Sequence, residues 1–109
     1  MHVCTFQRVD GRRPHEWLKE LDADDPKTIG EDIKLVQFRW PLGMPLVDKL
    51  EPDLWEVRSR LKGGRIARVC FTARAGEMAL LHGFIKKSQK TPAQELDLAR
   101  RRKDLWLNG

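Results

Sequence analysis

At 109 residues the chain can bury one modest hydrophobic core and has no room for a second domain, so a single domain over residues 1–109 is expected. Its net charge of +5 is unevenly spread: residues 1–54 carry 8 Lys/Arg against 11 Asp/Glu (−3), and residues 55–109 carry 13 against 5 (+8). A basic half on a compact domain suggests a polyanionic partner, most often nucleic acid, with a merely solvated surface as the alternative. No stretch approaches the roughly 18 apolar residues of a membrane span, and the opening Met-His-Val-Cys-Thr-Phe lacks the basic-then-apolar form of a signal peptide. A cytoplasmic protein without membrane attachment is expected. Cys4 and Cys70 form no CxxC pair, and with three scattered histidines they do not complete a zinc site; both read as reduced core or strand positions. No metal site and no cofactor are expected.

In chain order, residues 2–9 read as a strand whose inner face is open, since Val3, Thr5, Gln7 and Val9 alternate with Cys4 and Phe6. Asp10-Gly11 is turn chemistry. Residues 14–21 read as a short helix with Trp17, Leu18 and Leu21 at helical spacing. After an acidic loop, Asp25 can cap a second helix with Pro26 at its first position. Ile29, Ile33, Val36 and Trp40 make its apolar stripe, and Pro41 stops it. Residues 42–52, with Gly43, Pro45 and Pro52, read as an irregular connection. Three strands follow over 54–61, 65–72 and 77–86, the first two joined by the hairpin loop Lys62-Gly63-Gly64. Thr91-Pro92-Ala93-Gln94 is a capping box that opens a last helix running to about Trp106. The order is βααβββα, an α+β fold.

The 62–64 loop fixes a register. Trp55–Phe71, Val57–Val69 and Ser59–Ala67 fall on one face of the hairpin, and Glu56–Cys70, Arg58–Arg68 and Arg60–Ile66 on the other. A two-residue Gly63-Gly64 loop would shift the pairing by one and mix the faces. In the favoured register two arginines oppose each other, which destabilises unless Glu56 relieves part of the repulsion. Two readings stand: solvated arginines on an exposed sheet face, or an anion site, since guanidinium forks suit phosphate. On either reading, truncating one arginine should hold or slightly raise stability. The third strand, "LLHGFIK", is apolar on both faces and so reads as central. It ends in Lys86 and Lys87, with Lys90 and a helix N-terminus close behind, which together make a plausible phosphate cradle.

The segments "LWEVR", "RIARVCF" and "LLHGFIKKSQKTPAQELDLARRR" resemble the RelE/HigB-type toxins of bacterial toxin–antitoxin systems, in particular their phage-derived toxin-like branch. The last segment is the specific one. The likeness covers residues 42–106 closely and the N-terminal strand and helices by order alone. It implies a small twisted antiparallel sheet with two helices packed on one face. It also implies a metal-independent endoribonuclease that cuts mRNA on the ribosome through attack of the ribose 2′-hydroxyl on the adjacent phosphate. A cognate helix-turn-helix antitoxin would cover the site, and operator DNA would be bound only through that complex. The implied catalytic residues are Arg58, Arg68 and Lys87, with Lys86 sharing the work.

The chain has no tyrosine, which many such toxins use near the C-terminus. His82 and Lys87 are the alternative bases, although a histidine inside an apolar strand is more often a packed core residue, and the loop after Thr72 leaves the face of His82 open. Arg60, Lys86, Lys90, Arg101 and Arg102 are the candidate RNA-binding residues. The Arg100–Lys103 run can instead be cations favouring a helix C-terminus. Leu98, Leu105 and Trp106 read as core or antitoxin contact. Two other functions remain open: a ParE-like toxin acting on DNA gyrase, and a non-enzymatic nucleic-acid or antitoxin-binding module.

Overall fold

The computed structural model describes residues 2–5, 21, 24–86 and 90–108, with backbone alone for 2–5 and 86. The expected 14–21 helix, the rest of the first strand and Lys87 lie outside these residues. The described elements are β1 (His2–Thr5), α1 (Asp24–Arg39), β2 (Val47–Glu51), β3 (Leu54–Arg60), a 3-10 turn (Lys62–Gly64), β4 (Ile66–Arg74), β5 (Glu77–Lys86) and α2 (Ala93–Asn108). They build one sheet in the order β1-β5-β4-β3-β2. β2 to β5 pair antiparallel, as expected, whereas β1 joins β5 in parallel. β5 is therefore an interior strand, and β4 occupies the centre.

The β3–β4 register is the one the glycine loop dictated, from Trp55 opposite Phe71 through Arg58 opposite Arg68 to Arg60 opposite Ile66. Gly63 and Gly64 both take the left-handed backbone that such a loop needs, at φ 77° and 74°. β2 corrects the reading of 42–52 as irregular. Its sequence, Val-Asp-Lys-Leu-Glu, shows no alternation, and its pairing with β3 shifts between Lys49 and Glu51. An edge strand needs apolar side chains on little of its surface, and charges there discourage further pairing. The Val47 amide donates to Gly43 O and the Arg58 amide to Leu46 O, which lays the 43–47 segment against β3.

The two faces are covered separately. On one, Ile29, Ile33 and Val36 of α1 pack on Val57, Val69, Phe71, Met78 and Leu80. Trp40, Trp55 and Phe71 close this layer, with ring centroids 5.0–5.8 Å apart. On the other, Ala99, Leu96 and Trp106 of α2 pack on Leu54, Cys70, Ala79, Leu81 and Phe84. Leu80 and Leu81 serve opposite cores, as adjacent strand residues do, and the register shift at Cys70/Phe71 leaves Leu81 without a partner in the β4–β5 register. The expectation of two helices on one face is corrected for the described pair: α1 and α2 lie on opposite faces, because a strand apolar on both sides needs two covers. Among the described residues no helix is long and apolar enough to cross a membrane.

Polar contacts fix both helices. Asp25, expected as a cap, is buried and takes two bonds from Arg65, at 2.9 and 3.3 Å, which tie the start of α1 to the β3–β4 hairpin. Arg100 holds Glu51 at 2.8–3.2 Å, and that hydrogen bond keeps the Glu51 carboxyl below its ordinary range. The packing generates a direct contrast on α1. Ile29→Ala should cost about 3 kcal/mol in urea unfolding followed by tryptophan fluorescence, from lost burial and a residual cavity. Leu35→Ala, at a side chain 40% exposed, should stay within about 0.5 kcal/mol of the parent.

Candidate functional site

Three cross-strand rows carry the chemistry: Glu56–Cys70–His82, Arg58–Arg68–Phe84 and Arg60–Ile66–Lys86. The first two lie under the N-terminal half of α2, so this is not an open sheet face. Arg68 is 0% exposed, Glu56 1% and Arg58 12%. Glu56 Oε1 lies 3.7 Å from Arg58 Nε and 4.0 Å from Arg68 Nε, and its Oε2 accepts a 2.9 Å hydrogen bond from the Thr91 hydroxyl. The carboxylate thus occupies the place where two guanidinium groups would otherwise repel, and it ties the residue expected to cap α2 to β3.

Burial dominates the electrostatics. It pushes the Glu56 carboxyl above its ordinary value, against the opposing pull of the Thr91 hydrogen bond and the two arginines. Burial likewise lowers Arg68, which Glu56 partly offsets and Arg58 reinforces. Arg68 also stands over Phe84, its Cζ 6.0 Å from the ring centroid. A buried carboxyl shifted up beside a buried guanidinium that stays charged marks a site whose desolvation is incompletely repaid, and such an arrangement specifies geometry more than it stabilises.

His82, whose face was open in the sequence, lies on this same side. Its ring stacks on Phe84 at 5.7 Å and its Nε2 meets Glu95 Oε2, so the histidine docks the first turn of α2. Cys70, beside it in the row, is a free buried thiol pushed well up by burial, which suits a packed and unreactive cysteine. Among the described residues no group of three or more His, Cys, Asp or Glu converges as a metal site would require.

The remaining candidates separate. Arg60 is exposed at the end of β3, the Lys86 backbone ends the same row, and Lys90 is exposed just ahead of α2. The Arg100–Lys103 run is divided by the helical period. Arg101 is exposed and lines a different cleft, with Asp104, Leu105 and Asn108. Arg100 and Lys103 pair with Glu51. Arg102 corrects the expectation of a surface cation: it is 1% exposed, and its Nη1 donates to Leu81 O at 2.7 Å, anchoring α2 to β5. Ala99, Arg102 and Trp106 fall at helical spacing, the signal in the sequence that this arginine faces inward. Trp106 packs in the core as expected, and Leu105 is 47% exposed.

A cleft of about 460 Å³ opens where the buried row meets the surface, bounded by Arg58, Arg60 and Arg65 and by Met44, Pro45 and Ile66. Sequence reasoning missed the Met44–Pro45 wall, because the backbone bond from Arg58 to Leu46 that brings it there leaves no periodic trace.

The family model for the phage-derived protein Gp49-like (DUF891) matches residues 16–104. The chain belongs to this family. It is a toxin-like family of toxin–antitoxin systems, and the match takes in β2 to β5, the glycine hairpin, the Glu56–Arg58–Arg68 cluster and all but the end of α2. No curated protein matches the sequence.

In this Gp49-like chain, truncating an arginine does not simply ease repulsion, because Glu56 lies between the two. Arg68→Ala should cost about 3 kcal/mol at neutral pH in chemical unfolding, since it strips a buried carboxylate of its fully buried counter-ion. Arg58→Ala, nearer the surface, should cost less and leave a folded protein.

Proposed function

We propose that the protein is the toxin of a toxin–antitoxin pair and cleaves mRNA on the ribosome by attack of the ribose 2′-hydroxyl on the adjacent phosphate. One observation carries the reading: in a Gp49-like chain, a buried carboxylate holds Arg58 at the mouth of an arginine-bounded cleft. The RNA supplies its own nucleophile in such a reaction. The protein has to position the phosphate, stabilise the charge that develops on its oxygens, and move two protons.

Arg58 meets the phosphate, with Arg60 on the same strand and Lys90, just ahead of α2, as further cations. Arg68 acts behind Arg58 through Glu56, as a positioning residue. Lys86 and Lys87, which follow Ile85 in the sequence, are assigned further positive charge for the phosphate on the family resemblance alone. As the 2′-oxygen bonds to phosphorus and the bond to the 5′-oxygen breaks, the proton of the 2′-hydroxyl goes to Lys87 or to His82, and the departing 5′-oxygen takes a proton from water or a neighbouring cation. His82→Gln and Lys87→Met separate these assignments, because the variant lacking the base loses cleavage while still binding ribosomes. A helix-turn-helix antitoxin would block the cleft and carry the complex to operator DNA, and the toxin would work in the cytoplasm.

Primer extension on mRNA in a purified translation system should show cuts that depend on translating ribosomes. Mass spectrometry of the ends should find 2′,3′-cyclic phosphate and 5′-hydroxyl. A 5′-phosphate with a 3′-hydroxyl would mean an activated water and contradict the mechanism. No cut at all would shift the weight to gyrase inhibition or to a non-enzymatic binding role. Arg58→Ala should lower cleavage at least about 100-fold, the scale of losing one charged donor to a transition state.

A further inference from the structure

Glu56 offers Arg58 what a phosphate would offer it: a negative charge spread over two oxygens. Its Oε1 lies 3.7 Å from Arg58 Nε, and Arg58 also lines the cleft at the hairpin end. One guanidinium therefore borders both the buried carboxylate and the surface. The surroundings of the carboxylate do little else to keep it ionised. Asp48, directly opposite on β2, adds a second negative charge. From β4 come Arg68 and the Cys70 thiol, which burial keeps protonated. His82 ends the same cross-strand row on β5 and meets Glu95 of α2, while Thr91, just ahead of α2, donates its hydroxyl to Oε2. Arg68 and Arg58 are the charges that oppose the cost of burial.

We infer that Glu56 is a built-in competitor for Arg58: a phosphate arriving at the cleft takes over the guanidinium that the carboxylate holds, and Glu56 takes up one proton from solvent in exchange. The inference rests on the reading that Arg58 meets a phosphate, and adds how that contact is regulated. Burial already holds the Glu56 carboxyl above its ordinary value with both arginines opposing it. A bound phosphate shares the charge of Arg58 and brings negative charge of its own, and both effects raise the carboxyl further. Below its value in the free protein, Glu56 is protonated with or without the ligand. Above its value in the complex, it is ionised in both. Between the two, binding draws in a proton, so by linkage the affinity is highest in acid and falls as pH rises through that window.

Isothermal titration calorimetry of the full chain with a short oligouridylate lacking terminal phosphates tests this, from about pH 4.5 to about pH 8 in pairs of buffers with different ionisation enthalpies. Neither uracil nor a phosphodiester titrates in this range, so any proton counted belongs to the protein. The parent should take up protons on binding, and its affinity should fall at least about fivefold between acid and neutral pH. Glu56→Gln keeps the shape of the side chain and an acceptor for Thr91 but has no charge. It should bind about fivefold tighter than the parent at neutral pH, with the uptake lost. His82→Gln should keep both the uptake and the fall, which separates Glu56 from the imidazole in its row. The NMR signal of the Glu56 carboxyl carbon in the parent should titrate at higher pH when the oligonucleotide is bound, a reading that does not depend on Glu56→Gln folding.

A Glu56 signal whose midpoint the ligand leaves unmoved, or uptake that persists in Glu56→Gln and disappears in His82→Gln, would overturn the exchange. Failure of the underlying reading looks different, because Arg58→Ala would then bind the oligonucleotide like the parent and both claims would fall. Binding that needs Arg58 with an unmoved Glu56 midpoint keeps the arginine on the phosphate and sinks the competitor.

Discussion

A single buried carboxylate organises this molecule. Glu56 sits on β3 beneath α2, 1% exposed, with a guanidinium on either hand and the Thr91 hydroxyl on its second oxygen. Without it, the register that the glycine loop imposes would set two arginines opposite each other in an apolar layer. With it, the pair becomes a charged cluster that β4, β3 and the start of α2 must all meet. Such a cluster contributes little net stability, because desolvating three charges costs about what their attraction returns. Its effect is directional: Arg68 is held inside, Arg58 is held at the cleft, and Thr91, just ahead of α2, is tied to β3.

That division of roles bears on function. Family likeness treats the two strand arginines alike, as groups on the phosphate. In this fold they differ by burial: Arg68 is fully buried, whereas Arg58 lines the cleft. Exposed Arg60 lies at the same end of the sheet, where Arg60, Ile66 and the Lys86 backbone form the last cross-strand row. Preorganised charge of this kind is what an RNA-driven cleavage needs, since the nucleophile already belongs to the substrate. The family match shows membership of a toxin-like family, and the cleavage chemistry remains the proposal made above.

Much of the fold was legible where period and turn chemistry act alone. The stripe of Ile29, Ile33 and Val36 marked α1 and its buried side, and the glycine loop with two-residue alternation fixed the β3–β4 register to the residue. What escaped depends on tertiary partners. β2 has no alternation to read, because an edge strand packed in part leaves little imprint on composition. The covered arginine face escaped because polar residues on a strand normally indicate solvent. The exception requires knowing that α2 brings Ala99, Leu96 and Trp106 across it. Arg58 and Arg68 were found by pairing, whereas Met44 and Arg65 reach the cleft through a backbone bond and a turn that no local pattern announces.

The coupling between Glu56 and Arg68 can be measured without any assay of function. Unfolding free energies of the parent, Arg68→Met and the Arg68→Met/Glu56→Gln double variant should be compared from about pH 4 to about pH 8. Burial raises Glu56 in the fold, so the stability this group contributes is present below its unfolded value and lost as pH rises through its folded one. Arg68 limits that loss by its charge. The gap between parent and Arg68→Met should therefore be small in acid, where Glu56 is protonated in both, and widen as pH rises toward neutrality. The double variant, with no carboxylate to ionise, should show no such extra fall with pH. A gap between parent and Arg68→Met that is the same at every pH would contradict the account, because Glu56 would then not depend on the arginine beside it.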